Sequence, residues 1–165
     1  MDRDHFRALQ APLKQSYVED PKLANVTLRA EGALGENITC SVATGRELVK
    51  AGLHAATGGT ASAACSGDML LQALVACAGV TLSAVATALG IEVRGGRITA
   101  EGDLDFRGTL GVAKDAPVGF KQIRLRFLLD SSATADEQTK LLQLTERYCV
   151  VYQTVRNGSD ITMGP

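Results

Sequence analysis

Three features predict an α+β domain. A long apolar helical stretch covers residues 68–89, alternating strand patterns lie on both sides of it, and a second, capped helix follows the last clear strand. The order is strands, long helix, strands, helix, strand. At 165 residues, 45% apolar and 21% charged, the chain can bury the core of a single domain covering 1–165.

Each element has its own signal. Residues 2–18 predict a short amphipathic helix, interrupted or restarted at Pro12 and ended by Pro21, so 1–24 form a helical extension. "NVTLRAEGA" alternates: Val26, Leu28 and Ala30 face one way, Thr27, Arg29 and Glu31 the other. "NITCSVATG" alternates likewise through Ile38, Cys40 and Val42, and "LGEN" between the two predicts a hairpin. Residues 51–67 are too rich in Gly, Ala, Ser and Thr for a regular element.

The long helix takes Ser66 as N-cap, Asp68 in its first turn and Gly90 at its end. It is apolar nearly all round, so other elements should wrap it. Its length would suit a bilayer, but its Ala content, its Gln72, Thr81, Ser83 and Thr87, and the lack of flanking basic clusters favour a buried central helix.

"IEVRGGRITAEGDLDF" predicts a strand interrupted or bulged at Gly95–Gly96. "FKQIRLRFLLD" is the clearest strand, with Ile123, Leu125, Phe127 and Leu129 on one face. Thr134 to Glu137 form a capping box that opens the second helix, on which Leu141, Leu144 and Tyr148 recur at helical spacing. "DITMG" predicts a last strand.

Charge narrows the function. With 17 basic and 18 acidic residues and no basic block, nothing supplies the attraction that nucleic acid or an anionic membrane needs. The charged start "MDRDHFRALQ" reads as neither signal nor transit peptide, which predicts a cytoplasmic protein with reduced thiols. Four cysteines with no CxxC and only two histidines give no zinc-type spacing, so no metal is expected.

The thiols are the reactive groups to weigh. Cys40 lies on a strand's apolar face and reads as filler. Cys65 precedes a helix N-terminus, where the dipole favours a thiolate. Cys77 sits inside the long helix among small residues, either as filler or as a buried, controlled thiol. Cys149 lies at the end of the second helix beside Glu146, Arg147 and Tyr148, whose plain roles are packing and solvent contact. A Cys65–Cys77 disulfide would have to span about 18 Å of helix, against a limit of about 7 Å between Cα atoms. Cys77 and Cys149 lie on different helices; spacing alone does not say whether they meet.

The blocks "SGDMLLQALVACAGVTLSAVA", "APVGFKQIRLRF" and "LTERYCVVYQTV" resemble, in order and spacing over residues 25–164, the signature blocks of the OsmC/organic hydroperoxide resistance family. The resemblance implies an intertwined homodimer, two long helices wrapped by antiparallel sheets, with two sites at the interface. It implies a peroxidatic cysteine at Cys77 and a resolving one at Cys149. The substrate would be an organic hydroperoxide and the reductant a lipoyl-type dithiol or small thiols, with no cofactor. Family peroxidases also use an Arg to stabilise the thiolate and a Glu to orient that Arg. Arg29 is the candidate for the first, while Arg46 reads as a solvated charge. Gly67 stands where the Glu would fall; the adjacent Asp68 either replaces it or serves only the helix dipole. His54 reads as an ordinary loop histidine. The alternative reading is an OsmC-like stress-related binding protein with weak or no peroxidase activity.

Overall fold

A computed structural model describes residues 2–19, 32–35, 39–44, 47–60, 62–111 and 113–165. The first helix, α1 (Arg3–Glu19), opens with the Asp2 carboxylate accepting the His5 N–H at 2.8 Å. The expected interruption at Pro12 is absent. Proline removes one backbone hydrogen bond, and the turns on either side carry the helix through it. Pro21 and residues 25–31 of the predicted strand over 25–33, Arg29 included, lie outside the described residues, as does Arg46.

The chain groups into two compact units. One, residues 27–72 and 100–125, holds a sheet with the order β1 (Gly32–Gly35), β2 (Thr39–Thr44), β3 (Glu47–Gly52), β4 (Ala64–Cys65). The β1–β2 and β2–β3 pairs are antiparallel and β3–β4 is parallel. β1 and β2 pair as the predicted hairpin, but Leu34 and Gly35 of the expected turn "LGEN" extend the strand, facing Cys40 and Thr39. Cys40 pairs with Ala51 in this ladder, and its side chain lies outside the description.

Strands β3 and β4 correct the reading of 51–67 as wholly irregular. Ala51 and Gly52 complete β3 because it runs in register along β2 from Thr44–Glu47 to Thr39–Gly52; tertiary pairing overrides weak strand propensity. His54 then caps a 3₁₀ turn over Ala55–Thr57: its Nδ1 accepts the Ala56 N–H at 3.0 Å and its ring stacks on Phe106 at 4.9 Å. That is a structural histidine.

The helix α2 (Ser66–Leu89) and the paired strands β5 (Val93–Asp103) and β6 (Gln122–Ser131) contribute residues to both units. Between these strands comes the short α3 (Phe106–Thr109), capped by Asp105. Arg124 ties β6 to Asp103 and Glu101 of β5. β5 runs through Gly95–Gly96 without the interruption expected there. Gly96 serves close approach instead, since a Cβ there would lie 2.5 Å from the Leu128 carbonyl oxygen.

The other unit, residues 1–26, 73–99 and 126–165, holds most of α2, with α4 (Ala135–Tyr148) and α5 (Val150–Asn157). The Thr134 capping box forms as predicted: Glu137 N–H donates to Thr134 Oγ1, and Glu137 accepts the Thr134 N–H. Helix α2 starts at Ser66 itself, one residue before the expected position. It ends at Gly90, whose φ of +73° lets Ile91 N–H reach the Ala86 carbonyl at 2.9 Å.

Leu82, Ala86 and Leu141 form the buried cluster of this unit, with Val85, Ile91, Val93, Phe127 and Leu129 packed against it. Among the described residues, α2 is the helix long and apolar enough to cross a bilayer, yet its Leu74–Ala78–Leu82–Ala86 stripe is core. Val80, off that stripe, is 73% exposed. The predicted strand over 160–164 does not form. Among the described residues no sheet edge pairs with it, and Ile161 and Met163 stand open to solvent. The helix α5, unforeseen, takes the residues before it.

Candidate active site at Cys77 and Cys149

Helix α2 carries Cys77 beside its buried stripe, half-buried. Helix α4 buries Leu141, Thr145 and Cys149, three residues spaced by four, so the same face that packs into the core ends on Cys149. There α4 stops. Cys149 has an extended backbone (φ −74°, ψ 108°), its N–H closes α4 on the Thr145 carbonyl at 2.9 Å, and its own carbonyl accepts the Gln153 N–H that starts α5. One residue thus ends one helix and begins the next, with its side chain 1% exposed.

This break brings the two thiols together. Burial pushes the Cys77 pKa up. The N–H of Val151, the Cys149 thiol, the Thr81 hydroxyl and the N–H of Val150 act on the sulfur in the other direction and prevail, so the net shift is downward. Cys149 goes the opposite way. Burial raises it most, the hydrogen bond and the negative charge at Cys77 raise it further, and the N–H groups of Tyr152 and Val151 only partly oppose this without closing a capping hydrogen bond. Of the two thiols, Cys77 is therefore the one that gives up its proton more readily.

The donors explain why the sequence folds this way locally. The first N–H groups of a helix have no partner inside it, and they carry the positive end of its dipole. The start of α5 spends them on sulfur. Thr81 lies one turn along α2 from Cys77, about 40° round the helix. The neighbouring hydroxyls behave differently: Ser83 and Thr87 donate back to the carbonyls of Gly79 and Ser83 at 3.0 and 2.8 Å. Thr81 and the α5 N–H groups escaped the sequence reading; the CAGVT spacing in "ACAGVT" was the available signal for Thr81.

Replacing Thr81 by Val is expected to raise the Cys77 pKa and slow its alkylation at neutral pH by roughly 2- to 10-fold, the worth of one net hydrogen bond. The pH profile of iodoacetamide alkylation checks this. Because the thiolate reacts, the rate in the unaltered protein should rise with pH and level off below the ordinary thiol pKa of about 8.5. The variant's profile should move toward that value.

The remaining candidates sit elsewhere. Asp68 is exposed in the first turn of α2, nine residues and about 13 Å of helix rise from Cys77. A Cβ at Gly67 would lie 3.4 Å from Phe120 Cζ, with the Cys65 sulfur and Leu104 next nearest, a mainly apolar setting for the carboxylate that family peroxidases place there. Cys65, in β4, precedes the helix and is separated from Cys77 by its first half, about 18 Å of rise, so that disulfide is excluded. Glu146 pairs with Arg156, and the Arg147 guanidinium lies over the Tyr148 ring, both toward solvent. Among the described residues no cluster of three His, Cys, Asp or Glu gathers for a metal ion. An apolar cleft of about 390 Å³ runs along Gly79, Leu82, Ser83, Ala86 and Ile98. Gly79 points roughly 200° round α2 from Cys77, so this cleft is not the thiol site.

The sequence matches the family described as OsmC-like protein over residues 59–164. No curated protein sequence matches it significantly. Among solved structures, the fold is similar to an OsmC-like protein from Mycoplasma pneumoniae, with a TM-score of 0.70 and 16% identity over 81% of this chain and 90% of that one. It is also similar to an organic hydroperoxide resistance protein OsmC from Legionella pneumophila, described as a predicted redox protein (TM-score 0.63, 18% identity, 82% and 93% covered). A third is the organic hydroperoxide resistance protein OhrB of Bacillus subtilis (TM-score 0.54, 18% identity, 82% and 94% covered). With more than half its length matched and an α+β fold shared with these structures, the chain belongs to the OsmC-like protein family.

Proposed function

We propose that the protein is a cysteine-based peroxidase that reduces organic hydroperoxides. One observation carries the reading: two free thiols on different helices meet, one biased toward thiolate and the other toward thiol. A thiolate attacks the distal peroxide oxygen and becomes a sulfenic acid. A second thiol in contact converts that acid to a disulfide before further oxidation. A dithiol of lipoyl type, or small thiols, then restores both cysteines by exchange. The names of the Legionella and Bacillus structures are in keeping with this substrate class.

The test is steady-state consumption of cumene hydroperoxide with dihydrolipoate as reductant, against hydrogen peroxide in parallel. Catalytic turnover that favours the organic peroxide is expected. Consumption no faster than that of a free thiol would contradict the proposal.

One observation favours the second reading, a binding protein with weak peroxidase activity. The groups acting on Cys77 among the described residues are neutral, and position 67 lacks a carboxylate. In that case the Cys77 pKa would sit near the ordinary thiol value. In the first reading, Arg29 is the proposed thiolate-stabilising cation and Asp68 its proposed partner.

Assembly follows from α2. Its buried stripe leaves Val80 73% exposed and Leu70 39% exposed within one chain. We propose that a second copy covers this face in an intertwined homodimer. Light scattering at micromolar concentration should give twice the 17.3 kDa chain mass; a monomer mass would contradict it.

A further inference from the structure

Attack on a hydroperoxide leaves a proton unaccounted for. Cys77 arrives as a thiolate, and the departing alkoxide must be protonated. We propose that Cys149 is the acid: its S–H protonates the leaving alkoxide as Cys77 attacks, and the same transfer makes the thiolate that closes the disulfide. This rests on the peroxidase reading above and adds a catalytic role to Cys149 within it.

The balance is as follows. The Cys77 sulfur forms a bond to the distal oxygen, the O–O bond breaks, and its electron pair leaves on RO⁻. Sulfur loses two electrons and the peroxide gains them. RO⁻ takes the proton from Cys149, giving ROH, Cys77–SOH and Cys149–S⁻. The Cys149 thiolate then attacks the Cys77 sulfur, S–S forms, S–O breaks, and hydroxide leaves. In sum, Cys77–S⁻, Cys149–SH and ROOH give the disulfide, ROH and OH⁻.

Several features place the donor there. The Cys149 thiol neighbours the sulfur that attacks, at the α4–α5 break, so it lies within reach of the oxygen that leaves. It is 1% exposed, so bulk water has little access to its side of the pair. Its backbone is clamped on both sides, by Thr145 and by Gln153, which fixes the donor in place. Cys149 stands at the N-cap of α5, where the positive end of the helix dipole favours the thiolate it becomes. Although burial raises the Cys149 pKa, a thiol starts from about 8.5 against about 15.7 for water, with alcohols weaker acids than thiols too, so the transfer is downhill.

The test compares two oxidants in a single turnover, with sulfenic acid or disulfide at Cys77 as readout. tert-Butyl hydroperoxide releases an alkoxide that needs a proton. Peracetic acid releases a carboxylate that leaves without one. Loss of thiolate slows both oxidants alike, so the ratio of the two rates isolates the proton. Cys149→Ala is expected to lower the tert-butyl hydroperoxide rate about 10²-fold relative to the peracetic acid rate, the lower end of general-acid effects. Cys149→Ser fills the same space with a weaker acid and should show the same selective loss, smaller in size. An unchanged ratio in either folded variant, whether both rates hold or both fall, overturns the proposal. Failure of the unaltered protein to react with either oxidant would instead overturn the peroxidase reading.

Discussion

Cys77→Ser is expected to abolish hydroperoxide reduction, by about 10³-fold or more, because removing a nucleophile leaves only binding and polar contacts at the site. The fold should survive. Serine is close in size to cysteine, the position is half-buried rather than sealed, and the Thr81 hydroxyl and α5 N–H groups can hydrogen-bond an oxygen as they do sulfur. The circular dichroism spectrum should therefore be unchanged while turnover is lost. The same substitution should lower the Cys149 pKa toward its ordinary value, since the hydrogen bond and the negative charge at Cys77 are two of the causes that raise it. Retention of peroxidase activity in this variant would move the chemistry to another thiol, with Cys65 the next to examine.

Leu141→Ala is expected to cost about 2–5 kcal/mol, the range for emptying a fully buried leucine site. Leu141 is 0% exposed and joins α4 to Leu82 and Ala86 of α2. At roughly 3 kcal/mol, melting should fall by about 6–12 °C in a chain of this length. The effect should reach the site as well. Leu141, Thr145 and Cys149 follow one another along a single face, and Thr145 spends its hydroxyl on the Leu141 carbonyl and its carbonyl on the Cys149 N–H. A loosened α4 holds Cys149 less firmly, so disulfide closure should slow more than the first oxidation of Cys77. Calorimetry and single-turnover kinetics on one preparation check both halves. A melting temperature within a degree or two of the unaltered protein would contradict this account of the core.

Much of this architecture was legible in residue order. The alternation of "FKQIRLRFLLD", the Thr134–Glu137 capping box and the apolar run over α2 each became the predicted element, because each is specified by local periodicity or by one side-chain pair. What escaped depends on partners distant in sequence. β3 and β4 exist because β2 and β3 offer edges, not because "AG" and "AC" favour strands. The end of the chain read as a strand, and among the described residues no edge receives it. The site divided the same way. The resemblance of three blocks pointed to Cys77 and Cys149, and the end of the second helix at Cys149 was legible, but no residue pattern announced the immediate restart of the chain as α5. Thr81 was visible as a spacing, but its use was not, since a helical hydroxyl ordinarily bonds its own backbone.

The central claim is that Cys77 and Cys149 act as one redox pair. The most direct measurement is non-reducing peptide mass mapping after one equivalent of cumene hydroperoxide, with alkylation within seconds. A Cys77–Cys149 disulfide, formed in nearly every chain while Cys65 stays alkylated, is the result the account predicts. Two free thiols at Cys77 and Cys149, or a disulfide that joins either to a different cysteine, would contradict it.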